Sequence, residues 1–428
     1  MVNKMDSAIL SIIILAIVIV LFITRIIPNA VTAVLGCTLF ALTGVCSLAD
    51  AFSGFSNTTV ILMFGMMVVG IAMQDTGAAK LIGEKVTQLS RKNERLFILI
   101  AGLTSALLST FLSNTAVIAI FLPIISSVSK SDSKMKRMNL TLPVTMGAMF
   151  GGVCTLVGST PQLTANGILS EMSNIELGMF DYTLPGVIIL AVYMLYVQLF
   201  GYKMGARIWG NRVSDTEIAM VEKKNETVPI NKVRLIIMLV IFLLIMISFI
   251  GDWIPTAMTA IIAALLCIIT KCTSQKSVIK KMDWSVVFVL AGCLGIASGL
   301  TKGGMGDLIG NGLSSILHNG IPPIVIFMIF VLATMLVSNF ITNSTAVVIF
   351  LPVAIALCNT SGLNPVTFTL GIVFAANLTF STPLANAQTA MTLVAGYKFS
   401  DYIKYTWLLD ILIFITIITV FPLLHPLV

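Results

Sequence analysis

Apolar runs of bilayer-spanning length follow one another along almost the whole chain, and they constrain the fold more than any single motif. Spanning candidates lie near 7–26, 30–49, 58–75, 140–170 and 182–202, and again near 234–251, 255–271, 285–300, 366–396 and 405–425. A helix crosses the hydrocarbon core with roughly 20 residues. Only 10% of the 428 residues are charged and 57% are hydrophobic, whereas a soluble domain carries roughly 25% charged residues. Such a chain cannot cover a water-facing surface. A soluble enzyme, a nucleic-acid binder and a disordered scaffold are therefore excluded together. What remains is an all-α polytopic membrane protein. The first run, 7–27, is long enough to span and has no small-residue cleavage site, so no signal peptide is expected.

Two apolar segments, 96–127 and 320–353, are interrupted midway by polar clusters, and each half is too short to span. They read as re-entrant helical hairpins. The long runs 140–170 and 366–396 carry polar breaks containing proline at 158–162 and 379–386, and read as discontinuous helices.

The chain also repeats itself. IPNAVTAVLG at 27–36 aligns with IPTAMTAIIA at 254–263, and LLSTFLSNTAVIAIFLP at 107–123 with LVSNFITNSTAVVIFLP at 336–352. Gly65 and Gly77 meet Gly292 and Gly304, Ser159-Thr160-Pro161 meets Ser381-Thr382-Pro383, and Asp181-Tyr182 meets Asp401-Tyr402. The order is constant, as small loop insertions in a duplicated unit would leave it. Each repeat has five transmembrane helices plus one re-entrant hairpin. An odd number of spans makes the second copy inverted. The expected units are 1–202, a cytoplasmic linker at 203–232, and 233–428.

Charge agrees with that topology. If the loops 76–95 and 128–139 are cytoplasmic, all 25 Lys and Arg except Lys4 and Lys302 fall inside. The positive-inside bias then accounts for the net charge of +7. The linker lies inside and both termini lie outside.

Chemistry belongs where non-helical backbone reaches membrane depth, because there it must line a cavity or be buried in protein. Four such places exist: the tips Ser113-Asn114-Thr115 and Thr342-Asn343-Ser344-Thr345, and the breaks Gly158-Ser159-Thr160-Pro161 and Ser381-Thr382-Pro383. Hydroxyls, amides and free carbonyls are hard oxygen ligands suited to Na⁺, and helix N-termini favour anions. The structural alternative is that these hydroxyls back-bond to their own helix or join helices. Ser109 and Ser338, one turn before the tips, are balanced between the two readings. Asp410, inside the last span, has Leu190 as its repeat counterpart and sits close to Lys404, so an interfacial partner is expected for it. Asp75 ends its span near the cytoplasm and reads as solvated. With seven cysteines, no CxxC pair and two histidines, no disulfide framework or transition-metal centre is expected.

FLSNTAVIAIFLP, GGVCTLVGSTPQ, TNSTAVVIFLP, FSTPLANAQ and AGYKFSDYIKYTWLL resemble the divalent anion:sodium symporter family over essentially the whole chain. The resemblance implies a homodimer in the cytoplasmic membrane working by an elevator motion, with Na⁺ as coupling ion and no cofactor. The implied substrates are small di- and tricarboxylates or sulfate. Carried over, it assigns Asn114, Thr115, Ser159, Thr160, Asn343, Ser344, Thr382 and Pro383 to substrate. It assigns Ser109, Ser113, Asn114, Gly158, Ser338, Asn343 and Ser381 to Na⁺. The second tip reads Thr-Asn-Ser where the family has Ser-Asn-Thr, and Gln162 and Leu384 stand beside the breaks where the family usually ends in Pro-Pro-Asn. No tip or break carries a basic residue, so the anion must be held by hydroxyls, amides, helix N-termini and the co-transported cation. The expected function is Na⁺-coupled symport of a C4-dicarboxylate or similar divalent anion. Alternatives are a Na⁺-independent exchanger, a proton-driven carrier, and a carrier of sulfate, citrate or another solute such as arsenite. An intramembrane enzyme lacks a nucleophile–base pair or an HExxH motif. A channel gives no reason for inverted, broken-helix sites.

Overall fold

The computed structural model describes residues 4–78, 81, 93–131, 135–209, 231–305, 321–383 and 386–428. Among these the chain is helical and contains no strand. The first half comprises α1 (Lys4–Thr24), α2 (Asn29–Leu42), α3 (Thr58–Asp75), α4 (Glu94–Ser109), α5 (Asn114–Ser131), α6 (Arg137–Gly152), α7 (Thr160–Ser173) and α8. α8 is continuous over Thr183–Trp209 through a π turn at Val197–Gly201. The second half comprises α9 (Lys232–Gly251), α10 (Thr256–Ile269), α11 (Trp284–Lys302), α12 (Pro323–Ser338), α13 (Asn343–Ser361), α14 (Pro365–Asn377), α15 (Ala387–Thr392) and α16 (Phe399–Leu424).

Seven of these helices are long and apolar enough to cross a membrane, fewer than the ten expected spans. The difference has local causes. The run 30–49 stops at Leu42, because Gly44 takes a left-handed φ of 73° that only glycine adopts freely. Ser47 then caps a short helix at Leu48–Ala51. Its counterpart, capped by Ser274, is the short helix Gln275–Lys281. The broken helices split into α6 and α7, and into α14 and α15. The first break opens earlier than expected, directly after Gly152. Among the hairpin arms, α13 is longer than the sequence pattern implied and qualifies as a span in length. The expected linker begins inside a helix, since α8 runs through Trp209. That indole is buried and donates to Asn139 Oδ1 at 3.0 Å. Most of the linker, with Leu384, lies outside the described residues.

The two halves interlock. α2 packs on α11, and α10 on α3. α3 and α11 run antiparallel. Asp75, ending α3, pairs with Lys281 just before α11, and Lys302, ending α11, lies 4.0 Å from Asp50 upstream of α3. α7 packs against both α11 and α13 of the other half. Phe380, in the second break, stacks on Phe150 of α6 with centroids 5.1 Å apart.

Candidate functional site

Each tip starts a helix, and sequence dictates how. At the first, the Ser113 hydroxyl accepts from Ala116 N–H at 3.4 Å. At the second, Thr342 Oγ1 accepts from Thr345 N–H, also at 3.4 Å. These are N-caps, so both hydroxyls are partly engaged in starting α5 and α13. A threonine from each half's own break holds the tip in place. Thr155 donates to the Thr110 carbonyl, and Thr382 to the Asn339 carbonyl. Behind the tips, the buried Ser109 donates to Asn114 Oδ1 at 2.5 Å, and Ser338 to Asn343 Oδ1 at 3.3 Å. Ser338 also donates to the Ala376 carbonyl at 2.7 Å and lies 3.3 Å from Thr379 Oγ1. The two Ser–Asn pairs thus meet at corresponding positions, but the Ser338 hydroxyl lies nearer the Ala376 carbonyl than Asn343. Glycine is required at 152, where a Cβ would stand 2.2 Å from Asn114 Oδ1.

A cavity of about 650 Å³ lies between the halves. The first tip contributes Ser113, Asn114 and Thr115. The second contributes Thr342, Asn343 and Ser344, and the first break Gly158, Ser159 and Thr160. Six of the eight residues the resemblance assigned to substrate are thus brought together. Thr382 and Pro383 are not: Thr382 is buried and spends its hydroxyl on the tip. Of the cation set, Ser113, Asn114, Gly158 and Asn343 line the cavity, with Ser109 and Ser338 one layer behind. Ser381 stands apart. Its hydroxyl donates to Asp410 Oδ2 at 2.5 Å and lies 2.8 Å from Thr406 Oγ1. Asp410 thus bonds to the second break instead of to an interfacial partner.

Sequence reasoning missed several lining residues. Asn377 ends α14, Asn386 caps α15, and Gln388 follows it. Asn377 Nδ2 donates to Gln162 Oε1 at 3.2 Å, and Ser159 Oγ donates to Asn377 Oδ1 at 2.9 Å, which bridges the two halves. Gln162, fully buried, also donates to the Gly152 carbonyl at 2.8 Å. The sequence cue was the second break itself: FSTPLANAQ contains Asn386 and Gln388, and Asn386 stands three residues before Thr389, whose N–H it accepts at 2.9 Å. The cavity extends to Gln74, Lys281 and Asp283. Lys281 is paired with Asp75, whose other oxygen accepts from Thr273 at 2.6 Å and Ser277 at 2.7 Å. Asp75 is therefore anchored instead of freely solvated.

Three helices of full length, α5, α7 and α13, begin at the cavity wall. Their positive dipole ends, with the first-turn N–H groups that the Ser113 and Thr342 caps leave free, favour an anion. The Asn side chains and hydroxyls add donors without adding charge. Among the described residues no group of His, Cys, Asp and Glu could hold a metal ion. Helix N-termini lining one cavity, in a chain with seven helices long and apolar enough to cross a membrane, are the arrangement of a membrane transporter.

Comparison with known proteins agrees. Residues 19–343 match the model of the citrate transporter family, CitMHS, and the chain belongs to that family. It is 25% identical to an uncharacterized transporter of Haemophilus influenzae, over 95% of this chain and 89% of the relative. It is 21% identical to the sodium-dependent dicarboxylate transporter SdcS of Staphylococcus saprophyticus, over 88% of this chain and 78% of that one. In fold it is similar to the YdaH transporter of Alcanivorax borkumensis, with a TM-score of 0.64 at 11% identity, covering 90% of this chain and 87% of the other.

Proposed function

We propose that this transporter carries a small dicarboxylate across the cytoplasmic membrane together with Na⁺, as a secondary active symporter. The observation that carries the reading is the convergence of the α5, α7 and α13 N-termini on one cavity whose tips and breaks hold no cationic side chain. A dianion there draws on helix dipoles, amides and hydroxyls. Its remaining charge calls for a co-bound cation, so each ligand raises the other's affinity. The Ser109–Asn114 and Ser338–Asn343 pairs supply hard oxygen atoms beside each tip for Na⁺. The sodium-dependent dicarboxylate transporter among the relatives supports this assignment, while the citrate family supports a tricarboxylate as the second substrate to test.

The antiparallel α3 and α11, and the exchanged contacts of α2 with α11 and α10 with α3, support two inverted repeats. With the basic loops inside, Gln74, Lys281 and Asp283 sit at the cytoplasmic mouth of the cavity, so this is an inward-facing state. Transport then follows from moving the tips and broken helices, as an elevator within a homodimer, against a frame built on α2, α3, α10 and α11. Uptake of radiolabelled succinate into proteoliposomes tests the function. Uptake that needs an inward Na⁺ gradient and disappears with K⁺ is expected. Uptake that ignores Na⁺ but rises with internal dicarboxylate would replace symport by exchange.

A further inference from the structure

Asp410 lies well inside α16 and has no counterpart in the first half, where Leu190 occupies the aligned position. One of its oxygens, Oδ2, accepts from Ser381 Oγ at 2.5 Å and from Thr406 Oγ1 at 3.3 Å. The other, Oδ1, is sealed from solvent and has no hydrogen-bond partner. The nearby tyrosine on α8 offers no relief, because Tyr196 donates its hydroxyl to the Tyr405 carbonyl. Among the described residues no basic side chain comes within ion-pair distance of this carboxylate. A lone carboxylate in a membrane span is costly and needs a compensating charge. An oxygen without a donor is where that charge is missing.

We infer that Asp410, with Ser381 and Thr406, forms an additional Na⁺ site behind the second helix break. The ligand chemistry fits: one carboxylate and two hydroxyls are all hard oxygen donors, and no nitrogen or sulfur ligand competes for a softer metal. The position fits as well. Ser381 belongs to the irregular residues 378–383 after α14, where its neighbour Thr382 fastens the second tip, and Asn386, capping α15, lines the cavity. An ion at Asp410 therefore fixes the stretch that positions the second half of the substrate site, without touching the substrate. The ion's identity rests on the Na⁺-coupled reading above; the site itself rests on the Asp410 geometry alone.

The test measures Na⁺ binding without substrate or transport. The full-length protein in nanodiscs is melted across a NaCl titration at constant ionic strength with choline, in parallel with KCl and with a pH series. Wild type is expected to be stabilised by Na⁺ and not by K⁺. Asp410→Asn, which keeps the shape and the acceptor for Ser381, is expected to raise the Na⁺ midpoint about tenfold, the factor expected when a charged ligand is lost. Thr406→Val, which removes one neutral ligand, is expected to raise it about threefold, and it serves if Asp410→Asn does not fold. Na⁺ titrations of both variants that superimpose on wild type overturn the site. So does a wild type stabilised by pH alone, which assigns Asp410 to a proton. If the Asp410 effect appears while succinate uptake ignores Na⁺, the symport reading fails and this site stands. If uptake is Na⁺-driven and both variants bind Na⁺ normally, the reverse holds.

Discussion

Gly65 of α3 meets Ala260 of α10 so closely that an added Cβ would stand 2.6 Å from the Ala260 carbonyl carbon. The repeat-related pair stands in the same relation: a Cβ on Gly292 of α11 would lie 2.6 Å from the Ala33 side chain of α2. Each helix of one half thus meets the counterpart of its own neighbour, as a two-fold relation requires. Small residues let the backbones approach where lipid gives no hydrophobic drive for association. Gly65→Val and Gly292→Val should each force that contact apart, costing about 1–3 kcal/mol. Thermal melts of the purified variants should show a lower transition in both cases. A melt indistinguishable from wild type for either would remove that contact from the frame.

The tips carry a second expectation. Asn114→Ala and Asn343→Ala each delete a cavity amide; the first also leaves the Ser109 hydroxyl without its acceptor, whereas Ser338 keeps the Ala376 carbonyl. Substrate uptake should fall at least about tenfold in each, the loss of a hydrogen bond to a charged group being worth roughly 1.5–3 kcal/mol. Gel filtration should still show folded protein. Full uptake in either variant would discard the site as drawn.

Gln162 and Asn377 separate positioning from binding. Gln162→Leu strips a buried partner from the Gly152 carbonyl and from Asn377. It should cost about 1–3 kcal/mol of stability through unsatisfied buried groups. Asn377→Ala opens the cavity wall and should raise KM more than it lowers the melting temperature. Equal loss of stability and affinity in both would make the pair a single structural joint.

Topology is open to chemistry from outside. Lys280 and Thr360 are both exposed. In a cysteine-free background, Lys280→Cys and Thr360→Cys should react with a membrane-impermeant maleimide from opposite faces of the membrane. Labelling of both from one face would end the inverted arrangement. The replacements for the native cysteines must match their volume, because most are packed in the core. All seven are unpaired, and only Cys46 is not buried.

Much of this was legible because polar residues inside apolar runs are costly, so Ser113-Asn114-Thr115 and its counterpart declare themselves. Breaks with Ser-Thr-Pro do the same. What stayed hidden depended on distance along the chain. Asn377 reads as the polar end of a span; only folding brings it to Ser159 and Gln162 of the other half. Ser381 and Thr382 sit side by side in a matching motif, yet one turns to Asp410 and the other to the Asn339 carbonyl. No periodicity encodes that divergence, because the backbone at 378–383, after α14, is irregular. Lys281 read as part of the topology signal and, with Asp283, proved also to border the cavity.

The bridge from Ser159 and Gln162 to Asn377 also sets an order of birth. The first half reaches the bilayer while residue 377 is still unmade, so its polar break must wait in the membrane without the amide that completes it. Until then the half-site is shielded only by its own turns, Gln162 holding the Gly152 carbonyl and Ser109 holding Asn114. The cavity is complete only when the second half has supplied its tip, Asn377 and Asn386. A nascent chain stalled before that point is an incomplete membrane protein with buried polarity on offer, the kind of surface that quality control reads.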